Sequence, residues 1–517
     1  MNNKRLFKEL TIASMISFGI ISAFLLFNPF KQNLVANQSE DPAVEKLIQD
    51  IDSLVTHYES NHYTFGIRVT STQNNETLYS KNEDMPFVPA SNLKLFPSAV
   101  ALETLGPSFK WKTQIYADGQ VLNGVLNGDL VIKTEGDPSI SENYLNSTID
   151  QLFKHWALEI KKQGITVVKG NVVMDHSAFN NTVIGKGWKS DYEQSHYAAP
   201  PSAFSINENY VTIRVSGARK NGKSPVVSVY PYNGSVKIIN KAVTAKVRKN
   251  SISVRRDANE NIIYVYGKIR KNKVIHSSIN LPKPADYASA MLFSALIKNK
   301  IMIKGKLITS DSPYPTDKLH SIYTYESPEL SHLLKRINKN SNNFMANQMF
   351  LTLGYKIKQD AKQSETIVKS FLEDKQINTS QLVLDDGSGL SPLDQTTPRQ
   401  FSDLLQYMSQ SPVFNDFYDS FPVAGIDGTL KNVMKYEPLY KNVRGKTGTI
   451  NEVKSLCGYI HTRDNEMLTF TILANDIKAN RYKIYQFNNE FLTILGNFSR
   501  NMKSNTVMVQ SDSVKFN

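Results

Sequence analysis

"VPASNLKLFPSAV", residues 88–100, holds a serine and a lysine three positions apart, Ser91 and Lys94, where an extended segment turns into a helix. Residues i and i+3 share a helix face, so hydroxyl and amine can touch. Two readings compete: a nucleophile beside its base, or a serine capping an ordinary helix N-terminus. Pro97 falls within the first turns of the same helix. Proline removes a backbone hydrogen bond there and predicts a kink.

Upstream, Val44, Leu47, Ile48, Ile51, Leu54, Val55 and Tyr58 keep a helical apolar stripe. "YTFGIRVTSTQNNETLYS" then reads as a hairpin turning at Asn74-Asn75. Downstream, "SAVALETLGP" ends a helix at Gly106-Pro107. From Lys110 to about Asp311 short alternating strands and Asn-Gly turns dominate, with "STIDQLFKHWALEIKKQG" the clearest helix. Helices return in "SPELSHLLKRINK" and "NNFMANQMFLTLGYKI", and "NVRGKTGTI", "SLCGYIH" and "EMLTFTILAND" read as adjacent antiparallel strands. The order predicts an α/β (α+β) catalytic domain, residues 42–110 and 333–517, split by inserted β-rich domains. The second domain is expected at 111–134 and 216–332, the third at 135–215, with residues 1–41 a signal or anchor and tether.

The chain has 517 residues, of which 40% are hydrophobic and 21% charged, which is globular composition for two to four domains. Its one cysteine, Cys457, excludes an internal disulfide and lies in the apolar run "KSLCGYI", as a buried small hydrophobe does. Lys4, Arg5 and Lys8 precede an uncharged stretch from Thr11 to Phe27. That pattern is an export signal, either cleaved or retained as a membrane anchor, and places the rest of the chain outside the cytoplasm. The net charge is +13, and residues 214–273 alone carry fifteen Lys plus Arg against Asp257 and Glu260. This segment is either an ordinary solvated surface or one attracted to anionic wall polymers or a membrane surface. An exported protein without an aromatic-basic recognition motif is not expected to bind nucleic acid.

A serine hydroxyl needs an adjacent base to act as a nucleophile. The nine histidines form no HExxH motif and no G-x-S-x-G occurs, against a zinc hydrolase or an α/β-hydrolase. No metal or cofactor is expected. Lys94 can replace histidine if burial near another cation lowers its pKa, and Lys446 supplies such a cation. Ser341-Asn342-Asn343 sits in a break between two helices, where a tight loop can push polar tips into a cleft. Gly448 of Lys446-Thr447-Gly448, within a strand, suggests close approach of a ligand backbone.

Taken in order, "SNLK", "SNN" and "KTGT" resemble the three motifs of penicillin-binding proteins and serine β-lactamases. The long gap from Ser91 to Ser341 is similar to that of class C low-molecular-mass penicillin-binding proteins, D-alanyl-D-alanine carboxypeptidases with extra domains between those motifs. "GWKSDYEQSHYAAPPSAFSINEN", "DDGSGLS" and "GIDGTL" fit as well. The resemblance implies Ser91 as acylated nucleophile, Lys94 as its general base and Ser341 as proton donor to the departing amine. It further implies that Asn343 bonds the substrate's peptide carbonyl, that Lys446 supplies positive potential, and that Thr447 and Thr449 hold the terminal carboxylate. Backbone N–H groups of Ser91 and Thr449 would form the oxyanion hole. Trp188 and Asp191 match a segment that reaches over the cleft, where Asp191 would pair with a stem-peptide amine. The implied activity is D,D-carboxypeptidase on peptidoglycan stem peptides, with D,D-endopeptidase action open and β-lactams as covalent inhibitors. A β-lactam sensor, a non-catalytic wall-binding protein and a β-lactamase stand as alternatives.

Overall fold

The structure is a computed structural model that describes residues 41–59, 63–179, 182, 184–189, 192, 194–232, 234–477 and 481–501. The export segment and Asp191 lie outside the described residues. Among those described, no helix is long and apolar enough to cross a membrane.

A five-stranded antiparallel sheet runs in the order Arg444–Ile450, Val453–His461, Met467–Asn475, Thr64–Ser71, Thr77–Lys81. Its inner strands are buried on both faces although they carry polar residues such as Arg68, Thr70, Lys454 and Thr471. The period of two still divides them. Phe65, Ile67, Val69, Leu456, Ile460, Phe470 and Ile472 face one cluster with helices Pro42–Glu59 and Arg481–Asn497, where Phe65 stacks on Phe487 at 4.3 Å. Cys457, Tyr459 and Leu473 face the other, with helices Leu95–Leu105, Asn343–Lys358 and Pro398–Ser409. Cys457 is buried there as expected.

The inserted region departs from the expected domain boundaries. A hairpin of Lys112–Leu122 and Val125–Thr134 carries Val167–Val168 and Val172–Asp175 parallel to its second strand. Met302–Ile303 and Leu307–Ser310 add further parallel pairs, and His320–Glu326 closes the other edge antiparallel. Residues 167–175 therefore belong to the sheet of 112–134, and a boundary at 135 does not hold. A boundary at 215 fails too, because it would cut strand Tyr210–Ser216 from its partners Val226–Tyr230 and Val274–Asn280. At 135 the physical reason is that parallel strands of two to four residues have no alternation to read. Their crossovers are made by helices Ile149–Lys162 and Pro284–Lys298, whose apolar faces join one continuous core from Ile115 to Ile322. Residues 237–269 form a second small sheet, Ser253–Arg256, Ile262–Tyr266 and Lys237–Asn240 in that order.

Candidate active site

Ser91 and Lys94 lie in a 3-10 turn, Ala90–Lys94, that passes into the α-helix Leu95–Leu105. Ser91 makes no capping hydrogen bond, since the helix is preceded by Lys94 without a side-chain cap. Pro97 is the third residue of the α-helix, where its missing N–H would have no i−4 partner inside that helix. The change of helix type, from 3-10 to α at Leu95, lies ahead of the proline.

Lys94 is fully buried. Its Nζ donates to Ser91 Oγ at 2.9 Å, to Asn343 Oδ1 at 2.7 Å and to the Ser388 carbonyl at 2.5 Å. Burial pulls its pKa down to about 7, against an upward pull from Asp386 and Asp394. An ammonium has three N–H donors and all three are used here. A neutral amine would keep two donors for the fixed acceptors Asn343 and Ser388, and its lone pair would face Ser91 Oγ.

The loop between helices Leu330–Lys339 and Asn343–Lys358 supplies the second group. Ser341 holds a left-handed φ of 54°, and Asn342 caps the following helix by accepting from the Met345 amide. Asn342 Nδ2 also donates to Tyr144 Oη at 3.0 Å and Glu208 Oε2 at 2.8 Å, so the inserted region braces this loop. Glu208 is the middle of three successive left-handed residues, Asn207 to Asn209, a strained turn held by the surrounding hydrogen bonds. Asn343 Nδ2 donates to the Tyr197 carbonyl at 3.0 Å, leaving one amide proton for another acceptor.

Lys446 is the third group. It is fully buried on strand Arg444–Ile450 and donates to Ser341 Oγ at 3.0 Å and the Thr447 carbonyl at 2.7 Å. Burial first, and the Lys94 charge second, hold its pKa well below the usual lysine range. At Lys94, too, burial is the leading cause of the downward shift. Thr447 Oγ1 bonds Thr429 Oγ1 at 2.7 Å, and Thr449 is exposed beside it. Gly448 is required by packing within the protein. A Cβ there would lie 2.1 Å from Ser455 Oγ, 2.8 Å from the Pro89 carbonyl and 3.0 Å from the Ser91 nitrogen. The glycine lets the strand press against the turn that carries Ser91.

Trp188 is half-buried and tied to the turn beside Lys94. Its Nε1 donates to Asp386 Oδ2 at 2.6 Å, so its polar atom is spent within the protein. Asp386 was missed by the residue reading, although it begins the "DGSGLS" stretch. Its carboxylate accepts from the amides of Ser388, Gly389 and Ser391 at 2.7, 2.6 and 3.1 Å and shapes the turn that presents the Ser388 carbonyl to Lys94. Gly389, at φ 74°, lets this turn approach Ala90, whose carbonyl would lie 1.8 Å from a Cβ. An aspartate followed by Gly-Ser-Gly is a recognisable turn signal. Its aim at a buried lysine is not.

Residues 47–490 match the D-Ala-D-Ala carboxypeptidase 3 (S13) family. A D-alanyl-D-alanine carboxypeptidase of an Actinomadura species is 28% identical over 83% of this chain and 81% of its own. D-alanyl-D-alanine carboxypeptidase DacB of Haemophilus influenzae is 26% identical over 82% of this chain and 89% of its own. The crystal structure of penicillin binding protein 4 from Haemophilus influenzae superposes with a TM-score of 0.74 at 25% identity, covering 88% of this chain and 99% of that one. The same protein has been solved in complex with a β-lactam, again at a TM-score of 0.74. With the match spanning nearly the whole described chain, the protein belongs to the D-Ala-D-Ala carboxypeptidase 3 (S13) family, the serine-type D,D-peptidases among the penicillin-binding proteins.

Proposed function

We propose that the chain is a D-alanyl-D-alanine carboxypeptidase of the cell wall in which Ser91 is the nucleophile and Lys94 its general base. The observation that carries the assignment is the buried Lys94 amine 2.9 Å from Ser91 Oγ, oriented by two fixed acceptors. Ser91 Oγ attacks the carbonyl carbon between the last two D-alanines as its proton passes to Lys94. The negative charge on the carbonyl oxygen is met by the backbone N–H groups of Ser91 and Thr449; one such donor is worth about 3–4 kcal/mol in the transition state. The C–N bond then breaks, and Ser341, backed by Lys446, protonates the leaving amine. Water attacks the acyl ester and returns the serine. The departing D-alanine's carboxylate would rest on Thr447, Thr449 and Lys446, and its arrival would favour the protonated form of Lys446 that burial disfavours.

A β-lactam amide meets the same serine, and the opened ring stays attached, so penicillin acylates Ser91. The enzyme works outside the cytoplasm, carried there by the apolar segment after Lys8, either cleaved or kept as an anchor. Purified full-length protein with defined muropeptides tests the reading, with products identified by mass. Loss of one D-alanine marks carboxypeptidase action, and conversion of cross-linked dimers to monomers marks endopeptidase action. Neither product, together with no uptake of penicillin, overturns the assignment.

A further inference from the structure

The fifteen cations of residues 214–273 fold onto a β-rich unit, and all but Arg256 are exposed. None of those fourteen pairs with an acid among the described residues. The segment's own acids are engaged elsewhere: Asp257 accepts from the Asn259 and Glu260 amides, and Glu260 pairs with Lys283.

The small sheet sorts part of this charge onto one face. Strand Lys237–Asn240 runs parallel to Ile262–Tyr266, and the same register continues through Val243–Thr244 beside Lys268–Ile269. Ile238, Val254, Ile263, Val265 and Ile269 point inward to the core. By alternation the outward positions are Lys237, Ile239, Lys241, Tyr264, Tyr266 and Lys268, with Arg255 opposite Tyr264 on the antiparallel neighbour. The two tyrosine rings lie nearly parallel, 13° apart with centroids separated by 6.2 Å, and Lys241 Nζ stands 5.8 Å from the Tyr266 ring. The result is a stacked pair of half-buried rings bordered by four exposed cations, with Lys237 and Lys241 about 13 Å apart at the rise of a strand.

We propose that this face binds a linear polyanion of the wall whose repeating unit joins a phosphodiester to a sugar or polyol. Charge complementarity selects the phosphates: an excess of unpaired, hydrated cations attracts a polyanion over many ångströms. The rings select the rest of the unit, since a carbon-hydrogen face packs on aromatic rings and a simple inorganic ion does not. Cations and rings follow one another along the paired strands, so the face suits a linear chain laid along them. It shares no residue with the cleft and holds or fails independently of the peptidase reading.

The test is equilibrium binding of the full-length chain to immobilised poly(glycerol phosphate) at low and high salt. Wild-type protein should bind and be released as salt rises. The quadruple variant Lys237→Gln, Lys241→Gln, Arg255→Gln and Lys268→Gln should lose about tenfold or more in affinity and much of the salt dependence. Tyr264→Ser with Tyr266→Ser should lose about threefold or more and keep the salt dependence. Lys241→Gln alone, a change too small to disturb folding, should fall between wild type and the quadruple. All of these should label with fluorescent penicillin as wild type does. A control quadruple at Lys298, Lys304, Lys306 and Lys318, exposed on other elements, should bind almost normally. The proposal is overturned if the control loses as much as the first quadruple, or if wild-type protein does not bind the polymer. It is also overturned if the first quadruple impairs binding only to anionic phospholipid vesicles or to single-stranded DNA.

Discussion

Lysines do opposite things in two regions of this molecule. In the cleft, Lys94 and Lys446 are fully buried and ringed by oxygen acceptors. On the sheet of residues 237–266, Lys237 and Lys241 are exposed and form no ion pair among the described residues, although Glu260 and Asp286 line the same cavity as Lys237. Burial penalises the ammonium form, so the cleft lysines give up protons easily. The surface ones, reaching into solvent, act at a distance. The difference teaches that burial and hydrogen-bond partners, rather than residue type, decide whether a lysine moves a proton or attracts a polymer.

The sharpest way to break the comparison is at the serine that the buried lysine serves. Ser91→Ala should abolish covalent uptake of fluorescent penicillin while thermal unfolding stays cooperative; persistent labelling would move the nucleophile elsewhere. Lys94→Ala should slow acylation by about 10²–10⁴-fold, the range of a lost general base, read by stopped-flow trapping. A rate within a few fold of wild type would leave the buried lysine a structural group only.

A finer probe is the carboxylate behind the lysine. Asp386→Asn replaces one of two acceptor oxygens by a donor, facing either Trp188 Nε1 and the Ser391 amide or the Ser388 and Gly389 amides. A mismatch of that kind costs about 1–3 kcal/mol. The negative charge that favours protonated Lys94 is also lost, so the acid limb of the acylation rate should move to lower pH. A limb that stays in place would separate Asp386 from the lysine's proton affinity. In wild-type protein the base must be neutral: the rate should rise about tenfold per pH unit below about 7 and level off above it. The smallest effect belongs to the surface. Lys241→Gln should leave acylation unchanged at every pH, and any shift of the limb would join the two regions that the comparison keeps apart.

The sequence was legible where chemistry is local. Ser91 with Lys94, and the helix break at Ser341, each lie within a few residues, and the structure brings them together through Lys94–Asn343 and Lys446–Ser341. The five-stranded sheet was legible in part, because its last three strands follow one another along the chain. What could not be read depends on contacts distant in sequence. Asp386 matters through a carbonyl that it positions, Trp188 through an indole bond to that aspartate, and Tyr197 through a backbone oxygen. None of these leaves a periodic or compositional trace. The short parallel strands at 167–175 were hidden for a related reason, since their partners are fixed by crossover helices and not by their own pattern.

The strand Thr64–Ser71 lies between Met467–Asn475 and Thr77–Lys81, and Thr72 bonds Met467 across 395 positions of chain. Closing so long a loop is entropically unfavourable and slow, and little rewards it before the late strands exist. A chain emerging from synthesis therefore carries Ser91 and Lys94 long before Lys446 and its strand can be set against them. Until that moment the hydroxyl has no finished pocket around it, and the growing polypeptide is spared a reactive serine.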